Sequence, residues 1–195
     1  MNRILNILLY SSFFLIFSIG LLGPIYAIFV EDIGGDVLTA GSTYAVYSIV
    51  MGIVIFLLSK WEDHVKHQEK LLVASRVLTV VGTAGYLFVS SPTDLFLVQV
   101  IIGISYAIGA PVYDTMYSKH LERGKGVSQW GVWESMDAIV TGISAFLGSL
   151  IVALFGFHIL MIVMLVFSFL SLGVSLLLFK HIRVHIHEKR IASLA

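Results

Sequence analysis

The stretch Lys60-Trp61-Glu62-Asp63-His64-Val65-Lys66-His67-Gln68-Glu69-Lys70 is crowded with ionisable side chains and lies between two apolar runs. At the other end of the preceding run stands Glu31-Asp32-Ile33-Gly34-Gly35-Asp36, which has acids and no base. Working outward from this contrast, all twelve Lys and Arg residues of the chain can be placed on one side of a membrane. They occur at Arg3, at Lys60, Lys66, Lys70 and Arg76, at Lys119, Arg123 and Lys125, and at Lys180, Arg183, Lys189 and Arg190. Basic loops are retained on the cytoplasmic side, so this asymmetry predicts six crossings with both termini in the cytoplasm.

Composition agrees. The chain has 195 residues, 58% of them hydrophobic and 12% charged, against roughly a quarter charged in a soluble domain. Its mean hydropathy is +0.96. An all-α integral membrane protein is predicted, in contact with membrane lipid and sited in the inner or plasma membrane of a prokaryote. A span needs about 20 apolar residues. The predicted spans are about 4–30, 39–59, 71–90, 95–118, 127–155 and 157–179, forming a domain over 1–180. A basic tail over 181–195 is expected to lie on the anionic inner leaflet. The first run is too long for a signal-peptide core and lacks an obvious cleavage site, so it is read as the first span. The absence of cysteine excludes disulfides and thiolate metal sites.

The two predicted three-helix halves resemble each other. Gly23-Pro24-Ile25-Tyr26 in the first span matches Ala110-Pro111-Val112-Tyr113 in the fourth. Tyr44-Ala45-Val46-Tyr47 in the second matches Trp130-Gly131-Val132-Trp133 in the fifth. Because three is odd, the second half enters from the opposite side, and the repeat is inverted.

With these features the chain resembles one half of a major facilitator superfamily transporter. The resemblance rests on the six spans, the inverted triplets, the Gly-Pro-Ile-Tyr break and the acidic Gly-Gly loop after it. In the loop between spans two and three, Asp63 matches the family's aspartate and His64 takes a basic position, while the family's glycines are missing. The resemblance implies alternating-access transport of a small-molecule substrate, not an enzyme. Family members generally have twelve spans in two halves, so the expected assembly is a parallel homodimer, with a heterodimer of two six-helix subunits as second choice. A non-transporting membrane scaffold or partner subunit is the alternative function.

Ionisable groups in or near a span are functional candidates because they are costly there. Asp63, Arg76, Asp114, Lys119, Arg123, Glu134 and Asp137 are expected at the cytoplasmic edge, as a gate, a proton-coupling site or anchoring ion pairs. The midplane is expected to be uncharged, which favours a neutral or amphipathic solute. Tyr26, Tyr44, Tyr47, Gln99, Tyr106 and Tyr113 are candidates for the substrate path. Gly23, Pro24 and Pro111 are candidates for helix bends. The cavity is expected between spans one, two, four and five, with spans three and six peripheral. Trp61, Trp130 and Trp133 are read as an interfacial belt. His181, His185 and His187 are read as solvated tail residues, so no metal is expected. No cofactor and no nucleic-acid partner is indicated, since no nucleotide-binding loop or basic recognition motif is present.

Overall fold

The computed structural model describes the backbone of residues 3–192 and the side chains of residues 3–179. The basic tail expected at 181–195 lies outside the residues whose side chains are described. Helix α1 (Arg3–Gly20) is followed by a 3-10 turn (Gly23–Ile25) and α2 (Tyr26–Asp32). Then come α3 (Val37–Glu62), α4 (Gln68–Tyr86), α5 (Pro92–Lys119) and α6 (Gly126–Ala192).

Among the described residues four helical runs are long and apolar enough to cross a membrane: Arg3–Asp32, Val37–Glu62, Pro92–Lys119 and Gly126–Phe179. Six separate apolar runs were expected. α4 is more polar because it carries Glu69, Lys70 and Arg76. The fifth and sixth predicted spans form one long run, broken only at Gly156, where φ is 80° and ψ is 173°. A positive φ of that kind is open to glycine and strained for other residues.

Local chemistry sets the helix ends. Pro24 has no N–H to donate, and the first run changes there from α-helix to a single 3-10 turn. Ala110-Pro111, the other expected bend, lies instead inside continuous α5. Asp36 caps α3 by accepting from the Thr39 backbone N–H at 2.7 Å and from its hydroxyl at 2.6 Å. Ser91 and Asp94 form a reciprocal capping box at the start of α5, with Pro92 in the first turn.

Hydroxyl pairs fasten the bundle. Ser18 Oγ donates to the Met164 carbonyl at 2.7 Å and lies 2.9 Å from Ser168 Oγ. Ser171 Oγ donates to the Ser11 carbonyl at 2.7 Å. As numbers rise along α1 they fall along 157–179, so these segments run antiparallel. Thr79 and Ser105 hydroxyls meet at 2.7 Å between α4 and α5. Two apolar clusters close the ends. Leu5, Leu8, Leu72, Met116 and Leu178 belong to one, and Leu21, Phe29, Leu95, Leu160 and Met164 to the other.

Burial within the chain differs from helix to helix. α4 buries Leu72, Ser75, Arg76 and Thr79, and 157–179 buries Leu160, Met161, Ser168 and Ser171. α3 is the open helix, with only 6% of its apolar window buried. The segment 126–155 exposes Ile139, Ile143, Phe146 and Leu154. Serines on the sixth predicted span were masked by its aliphatic composition, yet they are the contacts that seat it against α1.

Two predictions follow from these contacts. At Gly148 a methyl group would collide with the Leu21 backbone carbonyl, whereas Gly142 has open space. Gly148→Ala should therefore cost about 1–3 kcal/mol of stability and Gly142→Ala little, as read by thermal unfolding in detergent. Asp36 has its pKa lowered, chiefly by the Thr39 hydroxyl and then by the Thr39 N–H. A lowered folded pKa means that this contribution is present above the unfolded value of about 3.9 and fades as pH falls through the folded value. The melting-temperature gap between wild type and Asp36→Ala should be constant near neutral pH and close in acid.

Candidate functional site

A cavity of about 610 Å³ opens between α1, α4, α5 and the segment 126–141. That volume suits a small organic molecule. α1 contributes Ser12, Ile16 and Gly20, and α4 contributes Arg76 and Thr79. α5 contributes Ser105, Tyr106, Gly109, Tyr113 and Asp114. α6 contributes Trp130, Trp133, Glu134, Asp137 and Thr141. α3 contributes no lining residue to this cavity.

The spacing of these residues explains why they share one wall. Trp130, Trp133, Glu134, Asp137 and Thr141 recur at three- and four-residue intervals, which places them on one helical stripe. Tyr106, Tyr113 and Asp114 form a similar stripe on α5. Ring contacts join the two: Tyr113 to Trp133 at 4.7 Å and Tyr117 to Trp130 at 4.8 Å between centroids. Tyr117 Oη donates to the Gln129 carbonyl at 2.6 Å, pinning the end of α5 to the start of α6. Trp130 and Trp133, expected as belt residues, are part of this wall. Trp61 is exposed.

Arg76 is 5% exposed. Its Nη1 would lie 3.9 Å from a Cβ at Gly109, about 15 Å along α5 from Lys119 at 1.5 Å per residue. By the same measure Asp137 is about 16 Å from the start of α6. Asp114 and Glu134 are exposed on the open side of the cavity, and Asp137 is partly covered. None of Arg76, Asp114, Glu134 and Asp137 forms an ion pair among the described residues, whose ion pairs are His67–Glu69 and Lys125–Glu122. The anchoring pairs anticipated for these acids are absent from this conformation.

The other candidates fall in two places. Asp63 follows the end of α3, its N–H donating to the Ser59 carbonyl at 3.2 Å. It lines a small pocket with Glu62, Gln68, Pro111 and Thr115. Lys119 Nζ donates to Gln68 Oε1 at 3.0 Å, which places it in the same neighbourhood, and Arg123 is exposed. Gln99 donates to Tyr26 Oη at 2.5 Å, and Tyr26 donates to Thr43 Oγ1 at 2.7 Å. This closed relay ties α2, α3 and α5 together outside the cavity. Tyr44 stands 5.8 Å from Tyr47, and Tyr47 stands 6.5 Å from Tyr106. Of the six path candidates, Tyr106 and Tyr113 therefore reach the cavity. Ser12, Thr79, Trp130 and Trp133 were not singled out. The helical spacing of Trp130 and Trp133 with the acids was the available signal. Among the described residues no group of His, Asp and Glu suits a metal ion.

The sequence profile described as Major Facilitator Superfamily matches residues 8–193. No curated protein matches the chain.

The Gln99–Tyr26–Thr43 relay gives a test of its structural role. Tyr26→Phe removes the acceptor of buried Gln99 and should destabilise by about 1–3 kcal/mol. Tyr44→Phe, at an exposed ring, should leave thermal unfolding unchanged.

Proposed function

The chain belongs to the Major Facilitator Superfamily, and we infer that it transports a small solute by alternating access between two six-helix units. Membership makes it an integral membrane protein of a superfamily of secondary transporters rather than enzymes. In this reading α4 and the two parts of α6 on either side of Gly156 complete a count of six spans. The one-sided basic residues then put both termini in the cytoplasm. The small-Pro-apolar-Tyr match between the two halves supports an inverted repeat.

The observation that carries the reading is the open, charged side of the cavity. Asp114 and Glu134 are exposed there beside Tyr106 and Thr141. An ionised side chain at the centre of a hydrocarbon layer costs about 2.5–3.5 kcal/mol on insertion scales. A lone bundle would turn these acids toward acyl chains. A second bundle covering the same side would enclose them around an aqueous path. The cover we propose is a second copy related by a two-fold axis along the membrane normal; a different six-helix subunit is the alternative. α3 and 126–155, the most open helices, would flank that axis.

In the same scheme the charged candidates divide by task. Arg76, Asp114, Glu134 and Asp137 face the solute. Asp63, Lys119 and Arg123 lie toward the helix ends and act as the cytoplasmic gate, with the Asp63–Gln68–Lys119 neighbourhood making and breaking contacts as the bundles rock.

The chain lacks cysteine, which makes site-directed crosslinking clean. A cysteine at Ala138, exposed next to Asp137, should give an oxidised dimer in native membranes. A cysteine at Phe169, exposed on the opposite segment of α6, should not. Native mass spectrometry should find twice the 21.5 kDa chain mass. A strict monomer with neither crosslink nor a six-helix partner would sink the paired-bundle mechanism.

A further inference from the structure

We propose that the cavity takes a small zwitterionic solute, its anionic group on Arg76 and Tyr113 and its cationic group among Trp133, Asp114, Glu134 and Asp137. This deepens the transporter reading and rests on it for the solute's route, though not for its binding.

Two buried polar atoms without a hydrogen-bond partner belong to residues that line this one cavity: Arg76 Nε and Tyr113 Oη. Both residues are more than nine-tenths buried, at 5% and 4% exposure. No carboxylate of the described residues lies within 4.0 Å of the Arg76 guanidinium. Of the neighbouring hydroxyls, two are already engaged, while Ser12 lies beside Tyr113. Thr79 and Ser105 bond each other at 2.7 Å, and Ser105 donates to the Ser75 carbonyl at 2.7 Å. A buried cation left in this condition is expensive, and an orphaned donor beside it adds to the cost. The guanidinium is a planar fork of donors, the geometry that matches a carboxylate in two parallel bonds. Tyr113 Oη supplies a further donor to the same anion. Gly109 contributes by absence, since a side chain there would crowd Ser75 and approach Arg76.

The rest of the cavity selects against a simple anion. Asp114, Glu134 and Asp137 all line it, so an acid with no compensating charge is repelled at that end. A simple cation meets the acids but also meets Arg76. A molecule carrying both charges satisfies both ends. Trp130 and Trp133 add ring faces suited to an ammonium or an apolar side group. A zwitterion is net neutral and so stays within the expectation of a neutral or amphipathic solute, with the guanidinium beside Gly109 adding a fixed charge for its anionic end.

The test is binding to the full-length protein in lipid nanodiscs, by thermal-unfolding shift and calorimetry at millimolar ligand. Three matched sets serve as probes: phenylalanine with phenylpropionate and phenethylamine, leucine with isocaproate and isoamylamine, and glycine betaine with acetate and tetramethylammonium. At least one zwitterion should bind about tenfold or more tightly than both its acid and its amine, roughly the strength of a charge-assisted hydrogen bond. Arg76→Gln should abolish the advantage of zwitterion over amine. Arg76→Lys should retain part of it, and Tyr113→Phe should weaken the zwitterion about three- to tenfold without altering the amine. Should Arg76→Gln fail to fold, Tyr113→Phe and Arg76→Lys decide the matter alone. The proposal is overturned if no zwitterion binds, if an amine or acid binds as well as its zwitterion, or if binding is indifferent to these substitutions. Counterflow in proteoliposomes separates this from the transporter reading. Binding without counterflow supports the subsite and removes transport. Counterflow of a solute of another charge class, unaffected at Arg76, keeps transport and removes the subsite.

Discussion

Polar atoms inside a hydrocarbon layer must be satisfied by the protein or by enclosed water, and most of the molecule is arranged around that constraint. The hydroxyls of Ser11, Ser18, Thr79 and Ser105 meet it by pairing across helices. Those pairs set which helices touch and in which direction they run. Arg76 Nε and the Tyr113 hydroxyl do not meet it within the described residues, and both residues line the cavity. Structural polar groups and functional ones are thus distinguished by satisfaction rather than by residue type. The Gln99–Tyr26–Thr43 relay illustrates the first kind, even though its residues have the same chemistry as the cavity wall.

The all-α membrane class was legible because hydropathy is a property of whole segments. The capping signals were local: Asp36 ahead of Thr39, and Ser91-Pro92 ahead of Asp94. Burial was harder to read. The segment 157–179 has the composition of a lipid-facing helix, but its serines at positions 168 and 171 recur on one face and seat against α1. α3 carries tyrosines that suggest an interior, yet it is the most open helix of the bundle. Which side of a helix faces a neighbour depends on what that neighbour offers, and composition holds no record of it.

Asp114, Glu134 and Asp137 stood out in the sequence because acids near spans are rare, and the structure brings them to one cavity. Arg76 was named with them from its place in the third predicted span, but its burial was not foreseen. Its long side chain and the notch at Gly109 carry its charge inward, and neither effect is visible in a hydropathy profile. Trp130 and Trp133 gave a signal with two meanings, since an aromatic at a membrane boundary can anchor to headgroups or stack within the protein. Their contacts with Tyr117 and Tyr113 decide for the second.

The backbone approach at Gly148 has a mechanical meaning. There the end of α1, just before the break at Pro24, rests on 126–155 through the Leu21 carbonyl, and Gly20 rests on Ser144 a turn earlier. Main-chain atoms in contact cannot yield as a flexible side chain can. The contact therefore acts as a fixed stop: it sets how near the end of the first run and 126–155 can come, while the rings of Trp130 and Trp133 hold the other end of 126–155 to α5.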